Sequence, residues 1–215
     1  MLFDKYRYIV VEGPIGTGKT SLAKRLAERF QAGLLLENAE GNPFLPRFYE
    51  DPKRHALSAQ LFFLFQRMNQ VQELKQLDLF GHATVSDFFL EKDPLFAKLT
   101  LGDDEYALYQ QIYQHMRPQA PNPDLVIYLQ SPPNVLAERV RQRAISYEQE
   151  ISESYLARLA DSYSEFFYHY TASPLLIVNN ANLNIVDRPR DFELLVERIG
   201  QMRGGREFFN LADAL

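Results

Sequence analysis

The 215-residue sequence contains no cysteine, which excludes disulfide bonds, thiolate metal sites and a cysteine nucleophile. It has no apolar run near the roughly 20 residues that a membrane-spanning helix requires, and its N-terminus does not resemble a secretory signal peptide. A formal net charge of −5 argues against a broad basic surface for nucleic acid or anionic membranes. We therefore expect a cytoplasmic protein with no nucleic acid and no membrane among its partners.

The sequence contains 46% hydrophobic and 24% charged residues, a composition typical of a soluble globular protein. The length suits one α/β domain, which we place at residues 1–203, followed by a loosely ordered tail at 204–215. Short apolar runs alternate with helical patterns, so we predict a five-stranded parallel sheet with helices on both faces. The predicted strands are residues 7–12, 33–37, 83–87, 124–130 and 174–178. The predicted helices lie near 18–30, 53–76, 103–116, 132–143, 152–171 and 190–202. Pro118, Pro121 and Pro123 predict a loop before the fourth strand.

A phosphate-binding loop is predicted directly after the first strand. The segment Gly13–Thr20 fits the pattern G-x-x-x-x-G-K-[ST], and a helical pattern follows it. Such a loop turns backbone N–H groups toward phosphate oxygens, with Lys19 as a cation for the outer phosphates and Thr20 as a ligand for Mg²⁺. A glycine-rich turn that matches by chance is the alternative. The predicted nucleoside triphosphate-binding residues are Gly13, Pro14, Ile15, Gly16, Thr17, Gly18, Lys19, Thr20 and Ser21.

Two acidic residues follow the second and third predicted strands. Glu37 and Asp87 belong at the carboxyl edge of the sheet, where ligands of open α/β sheets collect. Glu37 is placed to take a proton from a hydroxyl that attacks the γ-phosphate. Asp87 could hold Mg²⁺ or its water. The alternatives are a solvated glutamate and an aspartate that caps the next turn.

Two pairs of polar residues on helices are further candidates. Gln60 and Arg67 are seven residues apart on one helix, where an amide and a guanidinium could read the edge of a nucleobase; a solvated flank is the alternative. Arg139 and Arg143 share one face of a later helix and could belong to a lid that brings arginines to the transferring phosphate. A basic face paired with Glu138 or Glu148 is the alternative to a lid.

These residues, in this order, resemble the deoxyribonucleoside kinases, especially the bacterial deoxyadenosine/deoxyguanosine kinase-like proteins. The resemblance runs over residues 7 to 180 and is more specific than the phosphate-binding loop alone. The matching positions are Gly13–Thr20, Glu37, Asn42-Pro43-Phe44-Leu45, Phe48-Tyr49, Gln60, Arg67, Asp87, Asp93, Arg139, Arg143 and Glu148.

The resemblance implies a role for each matching side chain. Glu37 would be the general base, and Tyr49 with Glu148 would hold the sugar 3′-hydroxyl. Gln60 would read the base, with Arg67 and Asp93 beside it and Phe96 stacking on it. Arg139 and Arg143 would be the lid arginines, which we count with Lys19 and Glu37 as catalytic. The resemblance also implies ATP and Mg²⁺, a purine deoxynucleoside as preferred substrate and a homodimer built on the helix at 53–76.

One departure from the family pattern follows the third strand. The family usually has an acid followed by Arg-Ser, whereas this chain has Asp87-Phe88-Phe89. The missing arginine would contact the catalytic carboxylate, so we expect weakened catalysis unless Lys92 or a lid arginine compensates. Two other functions are kept as alternatives. A thymidylate kinase-like nucleoside monophosphate kinase would share the loop and the lid but would need further arginines, which the Phe88 position does not offer. A nucleotide-binding regulatory protein with little activity is the alternative that Phe88 supports.

Overall fold

A six-stranded, wholly parallel sheet lies at the centre of the fold. The structure is a computed structural model that describes residues 5–79, 83–116, 120–186 and 188–211. The strands are β1 (Tyr8–Glu12), β2 (Gly33–Leu35), β3 (Thr84–Ser86), β4 (Leu125–Gln130), β5 (Leu175–Asn179) and β6 (Arg206–Phe209). Their order across the sheet is β2-β3-β1-β4-β5-β6. Because all strands run in one direction, the residues that follow β1, β2 and β3 meet at one edge.

Helices connect the strands, as parallel pairing requires. The helices of the described chain are α1 (Lys19–Phe30), α2 (Leu45–Glu50), α3 (Pro52–Leu79), α4 (Asp93–Thr100), α5 (Asp103–Met116), α6 (Pro133–Arg143), α7 (Glu153–His169) and α8 (Pro189–Gln201). Three short 3₁₀ segments lie at Ala39–Gly41, Leu90–Lys92 and Ser146–Glu150. None of the helices in the described residues combines the length and the apolar character needed to cross a lipid bilayer.

The strand side chains alternate between two apolar layers. In β4, Leu125, Ile127 and Leu129 belong to a core cluster with residues of α1 and α8, whereas Val126 and Tyr128 pack in a second cluster with residues of α7. This period-two alternation buries both faces of the strand. The sheet is therefore held rigidly between two helical layers, and its carboxyl edge is a fixed platform for the site.

The predicted fold class is confirmed, with one strand more than expected. The five predicted strands and the six predicted helices all occur, with ends that differ by a few residues. Residues 206–209, which we expected in the tail, form β6 and pair with β5 in parallel. Sequence periodicity missed this strand because it is only four residues long and polar at its start. Residues 212–215 and Pro118 lie outside the described residues.

The sixth strand yields a test of stability. Phe209 is 6% exposed and packs in the core, whereas the neighbouring Phe208 is 67% exposed. We expect Phe209→Ala to lower the free energy of unfolding by about 3–5 kcal/mol through the loss of buried surface and the cavity it leaves. The matched Phe208→Ala should change it by no more than about 0.5 kcal/mol. Urea unfolding followed by circular dichroism measures both, and equal effects would contradict the assigned packing of β6.

Candidate active site

The phosphate-binding loop joins β1 to α1, and its shape depends on glycine. Gly16 and Gly18 have φ of 86° and 83°, in the left-handed region that favours glycine. A Cβ on Gly16 would lie 2.9 Å from the carbonyl oxygen of Leu136. The Thr17 hydroxyl donates a hydrogen bond to the Pro14 carbonyl at 2.8 Å, which closes the turn. The loop therefore has the compact form that phosphate binding requires, and α1 begins at Lys19, within the last two residues of the Gly13–Thr20 segment.

Arg139 lies behind this loop and not in the cavity beside it. Its guanidinium donates hydrogen bonds to the carbonyl oxygens of Asn180 and Leu183, at 2.9 and 3.5 Å. The Asn180 side chain in turn donates to the Thr17 carbonyl at 2.5 Å. The structure thus does not bring Arg139 together with the other predicted catalytic residues. Its position supports the loop that follows β5 and, through Asn180, the phosphate-binding loop.

A cavity beside the phosphate-binding loop collects most of the other predicted site residues. It lies between the carboxyl edge of the sheet, α2, α3, α4 and the 3₁₀ segment before α7. The predicted residues that line it are Ile15, Lys19, Thr20, Glu37, Tyr49, Gln60, Arg67, Asp87, Phe96, Arg143 and Glu148, and Lys92 lines it too. Residues from distant parts of the chain therefore form one site.

Glu37 is surrounded by cations. Arg67 donates to Glu37 Oε1 from Nε at 2.8 Å and from Nη2 at 2.5 Å, and Lys92 Nζ lies 3.9 Å from Oε2. Burial by itself would raise the pKa of Glu37, but the charges of Arg67, Lys92 and Lys19 outweigh it and lower the pKa to about 2. Glu37 is therefore a carboxylate at every pH at which the protein is expected to work.

Arg67 also holds a second, fully buried carboxylate. Its Nη1 pairs with Asp93 Oδ2, while Asp93 Oδ1 accepts hydrogen bonds from Gln60 Nε2 at 2.7 Å and from the Tyr109 hydroxyl. Gln60 Nε2 additionally donates to the Asp93 carbonyl oxygen at 3.1 Å. Asp93 does not line the cavity. It orients Gln60 and Arg67, which do.

Asp87 connects the phosphate-binding loop to the segment that carries Glu37. Its Oδ2 accepts a hydrogen bond from the Thr20 hydroxyl, and its Oδ1 accepts one from the Glu37 backbone N–H at 2.7 Å. The side chain is buried at the end of β3. One carboxylate thus sets the distance between the two halves of the site.

Tyr49, Glu148 and Arg143 form the opposite wall of the cavity. Glu148 is buried in the 3₁₀ segment Ser146–Glu150 and accepts from Arg143 Nε at 3.0 Å as well as pairing with Nη2. Tyr49 stacks on Tyr147 with ring centres 6.1 Å apart. Burial raises the pKa of Tyr49, so its hydroxyl stays protonated and can donate. The segment beside Arg143, which we expected to form a lid, is in this structure the 3₁₀ segment Ser146–Glu150. Its Glu148 carboxylate is buried and lines the cavity.

These observations match one protein family. The deoxynucleoside kinase family matches residues 9–202 of the chain. The chain belongs to the deoxynucleoside kinases. The match covers the phosphate-binding loop, the cavity and every strand except β6.

Individual relatives cover nearly the whole chain. It is 30% identical over 200 residues to the deoxyguanosine kinase of Bacillus subtilis. That alignment covers 91% of this chain and 97% of the relative. It is 31% identical over 192 residues to the deoxyadenosine kinase of Lactobacillus acidophilus, covering 83% of this chain and 87% of that protein. A solved deoxyadenosine kinase from M. mycoides, with dATP bound, superimposes with a TM-score of 0.79 at 24% identity. It covers 91% of this chain and 100% of the other.

The departure of this deoxynucleoside kinase at Phe88 has a structural explanation. Phe88 is buried among Leu35, Leu74 and Tyr8 and does not line the cavity. Besides Arg67, a second cation near Glu37 is Lys92, whose Nζ lies 3.9 Å from Glu37 Oε2 and 3.0 Å from Glu12 Oε2. Of the two replacements considered from sequence, Lys92 reaches Glu37, while Arg143 pairs with Glu148.

Three residues that support the site were not predicted from the sequence: Glu12, Tyr109 and Tyr163. Glu12 ends β1 and accepts hydrogen bonds from the Gly13 N–H at 2.9 Å and from the Tyr163 hydroxyl at 3.0 Å. Tyr109 supports Asp93 from α5. An acid that ends a buried strand could have been noticed by the argument applied to Glu37 and Asp87. Tyr109 and Tyr163 could not have been predicted in this way, because an aromatic residue in an amphipathic helix is most simply a core residue.

The Arg67 network makes a prediction about stability and pH. We expect Arg67→Met to lower the free energy of unfolding at pH 7 by roughly 3–5 kcal/mol, because it leaves two buried carboxylates without their shared cation. The lowered pKa of Glu37 stabilises the wild type fully above the ordinary value of 4.5, and this stabilisation is lost as the pH falls toward about 2. The two stability curves should therefore approach each other between these pH values.

Urea unfolding at a series of pH values between 3 and 7 measures this difference. Arg54→Met is the matched control, since Arg54 is exposed on the same helix. If Arg67→Met lowers the free energy of unfolding by no more than Arg54→Met does, the proposed network of Arg67 with Glu37 and Asp93 would be contradicted.

Proposed function

We propose that this deoxynucleoside kinase transfers the γ-phosphoryl group of ATP to the 5′-hydroxyl of a purine deoxynucleoside. The observation that carries the proposal is that Glu37, Lys19 and Thr20 line one cavity, so that a carboxylate faces the phosphate-binding loop. Such a cavity can hold an alcohol on one side and a triphosphate on the other. The family to which the chain belongs supports the same reaction.

Phosphoryl transfer depends mainly on positioning and on stabilisation of the charge on the transferring group. In the proposed reaction Glu37 accepts a hydrogen bond from the 5′-hydroxyl and takes its proton as the bond from the 5′-oxygen to the γ-phosphorus forms. The bond from the γ-phosphorus to the β–γ bridging oxygen breaks, and ADP leaves with that oxygen. Because the pKa of Glu37 is about 2, the carboxylate is ionised before substrate binds and accepts the proton late. Lys19 and Lys92 neutralise phosphate oxygens from the floor of the cavity.

The remaining cavity residues would bind the nucleoside. Tyr49 and Glu148 are proposed to hold the sugar 3′-hydroxyl, as donor and acceptor respectively. Gln60 and Phe96 are proposed to contact the base, with Asp93 and Arg67 fixing the orientation of Gln60. Both Gln60 Nε2 contacts go to Asp93, so Gln60 offers its carbonyl oxygen to the base. Arg143 is the one lid arginine of the described chain that lines the cavity, and we propose it as a phosphate contact.

The Thr20 hydroxyl and the Asp87 carboxylate fit the requirements of Mg²⁺. Magnesium in kinase sites takes one or two protein oxygens and completes its shell with water and phosphate. These two oxygens are hydrogen-bonded to each other at the phosphate-binding loop, and the described residues contain no group of three or more acidic or histidine side chains that could hold a metal ion. When bound there with ATP, Mg²⁺ would neutralise charge on the β- and γ-phosphates.

The proposed preference for purines is supported by the relatives. The Bacillus subtilis relative is a deoxyguanosine kinase, and the Lactobacillus acidophilus relative is a deoxyadenosine kinase. Another Bacillus subtilis relative, 29% identical, is a deoxyadenosine/deoxycytidine kinase. Purine deoxynucleosides are therefore the first substrates to test, and deoxycytidine is the pyrimidine to include.

A phosphorylation screen tests this function. We expect the purified protein with ATP and Mg²⁺ to phosphorylate deoxyadenosine or deoxyguanosine, and to act on ribonucleosides and on deoxynucleoside monophosphates at least ten-fold more slowly. Products are separated by anion-exchange chromatography. Turnover of monophosphates alone would indicate a nucleoside monophosphate kinase, and no turnover of any acceptor would favour a regulatory nucleotide-binding protein.

Glu37→Gln is the control variant in the same screen. It keeps the size of the side chain and removes the acceptor for the proton, so kcat should fall by about 10²- to 10⁴-fold while ATP binding is retained. Calorimetric titration with ATP measures whether the variant still binds ATP. A variant as active as the wild type would show that Glu37 is not the base.

We also propose that the protein is a homodimer. The neighbouring helices α3 and α5 each expose a large apolar side chain, Phe65 at 49% and Leu108 at 47%. Sedimentation velocity should give twice the 25.0 kDa mass of one chain. The variant Phe65→Glu/Leu108→Glu should sediment as a monomer. The control Tyr168→Glu, which changes an exposed side chain of α7, should not. A wild type that sediments at the mass of one chain would refute the dimer.

A further inference from the structure

Glu37 lies outside the sheet, although its position decides the proposed chemistry. Strand β2 ends at Leu35, and residues 36–38 belong to no helix or strand. Strand pairing therefore cannot position Glu37. The polar backbone groups of this segment must find partners elsewhere, because a buried unpaired backbone group is costly.

The partners come from side chains, and two of them are glutamines of α3. Gln70 Nε2 donates to the carbonyl oxygen of Leu36 at 2.5 Å, and Gln66 Nε2 donates to that of Asn38 at 3.0 Å. The backbone is thus held on both sides of Glu37.

The same stretch of helix holds the Glu37 side chain. Gln66 and Gln70 are four residues apart and lie on one face of α3, and Arg67 lies between them in sequence. Arg67 binds the carboxylate, while the glutamines bind the main chain that carries it. One turn of α3, together with the Asp87 carboxylate that accepts from the Glu37 N–H, therefore holds Glu37 against the phosphate-binding loop.

The glutamines are costly as packing residues. The Oε1 atoms of both side chains are buried and have no hydrogen-bond partner among the described residues. An apolar side chain of similar length would remove that cost but would leave the carbonyl oxygens of Leu36 and Asn38 without these donors, so the two effects on stability oppose each other. Neither glutamine lines the cavity, so neither would contact the substrate.

We propose that Gln66 and Gln70 are positioning residues that hold the Glu37 carboxylate at the acceptor hydroxyl. The proposal rests on the proposed function for the role of Glu37. Its consequence is kinetic: a reacting group displaced by about 1 Å can lose about 10²-fold in rate without any loss of substrate binding. Gln70 should matter more than Gln66, because the contact of Gln66 with Asn38 is exposed to solvent.

The test compares Gln66→Met and Gln70→Met with Gln72→Met, a control at an exposed position of the same helix. We expect kcat to fall roughly 10- to 100-fold for Gln70→Met and less for Gln66→Met, with the nucleoside KM within two-fold of wild type. The urea midpoint is measured for each variant, because a carbonyl oxygen left without its donor can lower stability, and the control should be unchanged in every measurement. A normal kcat in Gln70→Met overturns the proposal, as does a fall in kcat that only follows a loss of folded protein.

A second measurement is independent of activity. In the ligand-free protein, carbon-13 NMR titration follows the Glu37 carboxyl, whose pKa should rise in Gln70→Met as the carboxylate moves away from Arg67. An unchanged titration overturns the positioning role even if the wild type proves inactive. An inactive wild type with the expected titration shift would refute only the proposed function.

Discussion

Arg67 holds two carboxylates from different parts of the chain, and the geometry of the whole site depends on that contact. Glu37 follows β2, Asp93 begins α4, and both oxygens that Arg67 binds are largely removed from water. Charges of this kind are tolerated only when they are paired and hydrogen-bonded. The guanidinium can serve both because its planar fork presents several donors in fixed directions. The side that would bind the base and the side that would bind the hydroxyl are consequently coupled.

Around this contact the site balances buried acids against buried cations. Glu12, Glu37 and Asp87 stand at the ends of three adjacent strands, and Lys19 and Lys92 lie among them. Burial lowers the pKa of Lys19, and the charge of Lys92 lowers it further. Two lysines held close together favour an anionic ligand between them. The charge arrangement therefore suits a polyphosphate independently of the sequence motif.

Long helix α3 has a larger role than its sequence pattern indicates. Several of its apolar residues, among them Leu64 and Val71, pack into one core cluster. Its polar residues Gln60, Gln66, Arg67 and Gln70 face the site and the segment beyond β2. A single rigid element thus orients the Gln60 amide, the Arg67 guanidinium that binds Glu37, and the backbone around Glu37. Rigid support of this kind is what precise positioning of a reacting group requires.

The sequence by itself determined the parallel α/β fold, the phosphate-binding loop and the candidates Glu37, Asp87, Gln60 and Arg67, because these depend on local patterns. The apolar periods, the glycines and the strand ends can all be read within about ten residues. Only the tertiary structure decided which polar side chains meet. Arg139 and Arg143 share a helix face but are about 6 Å apart along its axis, so one binds the loop after β5 and the other binds Glu148. Phe88 enters the core while Lys92, at the end of a 3₁₀ turn, reaches Glu37, since the direction of each side chain depends on turns and packing that no local pattern encodes.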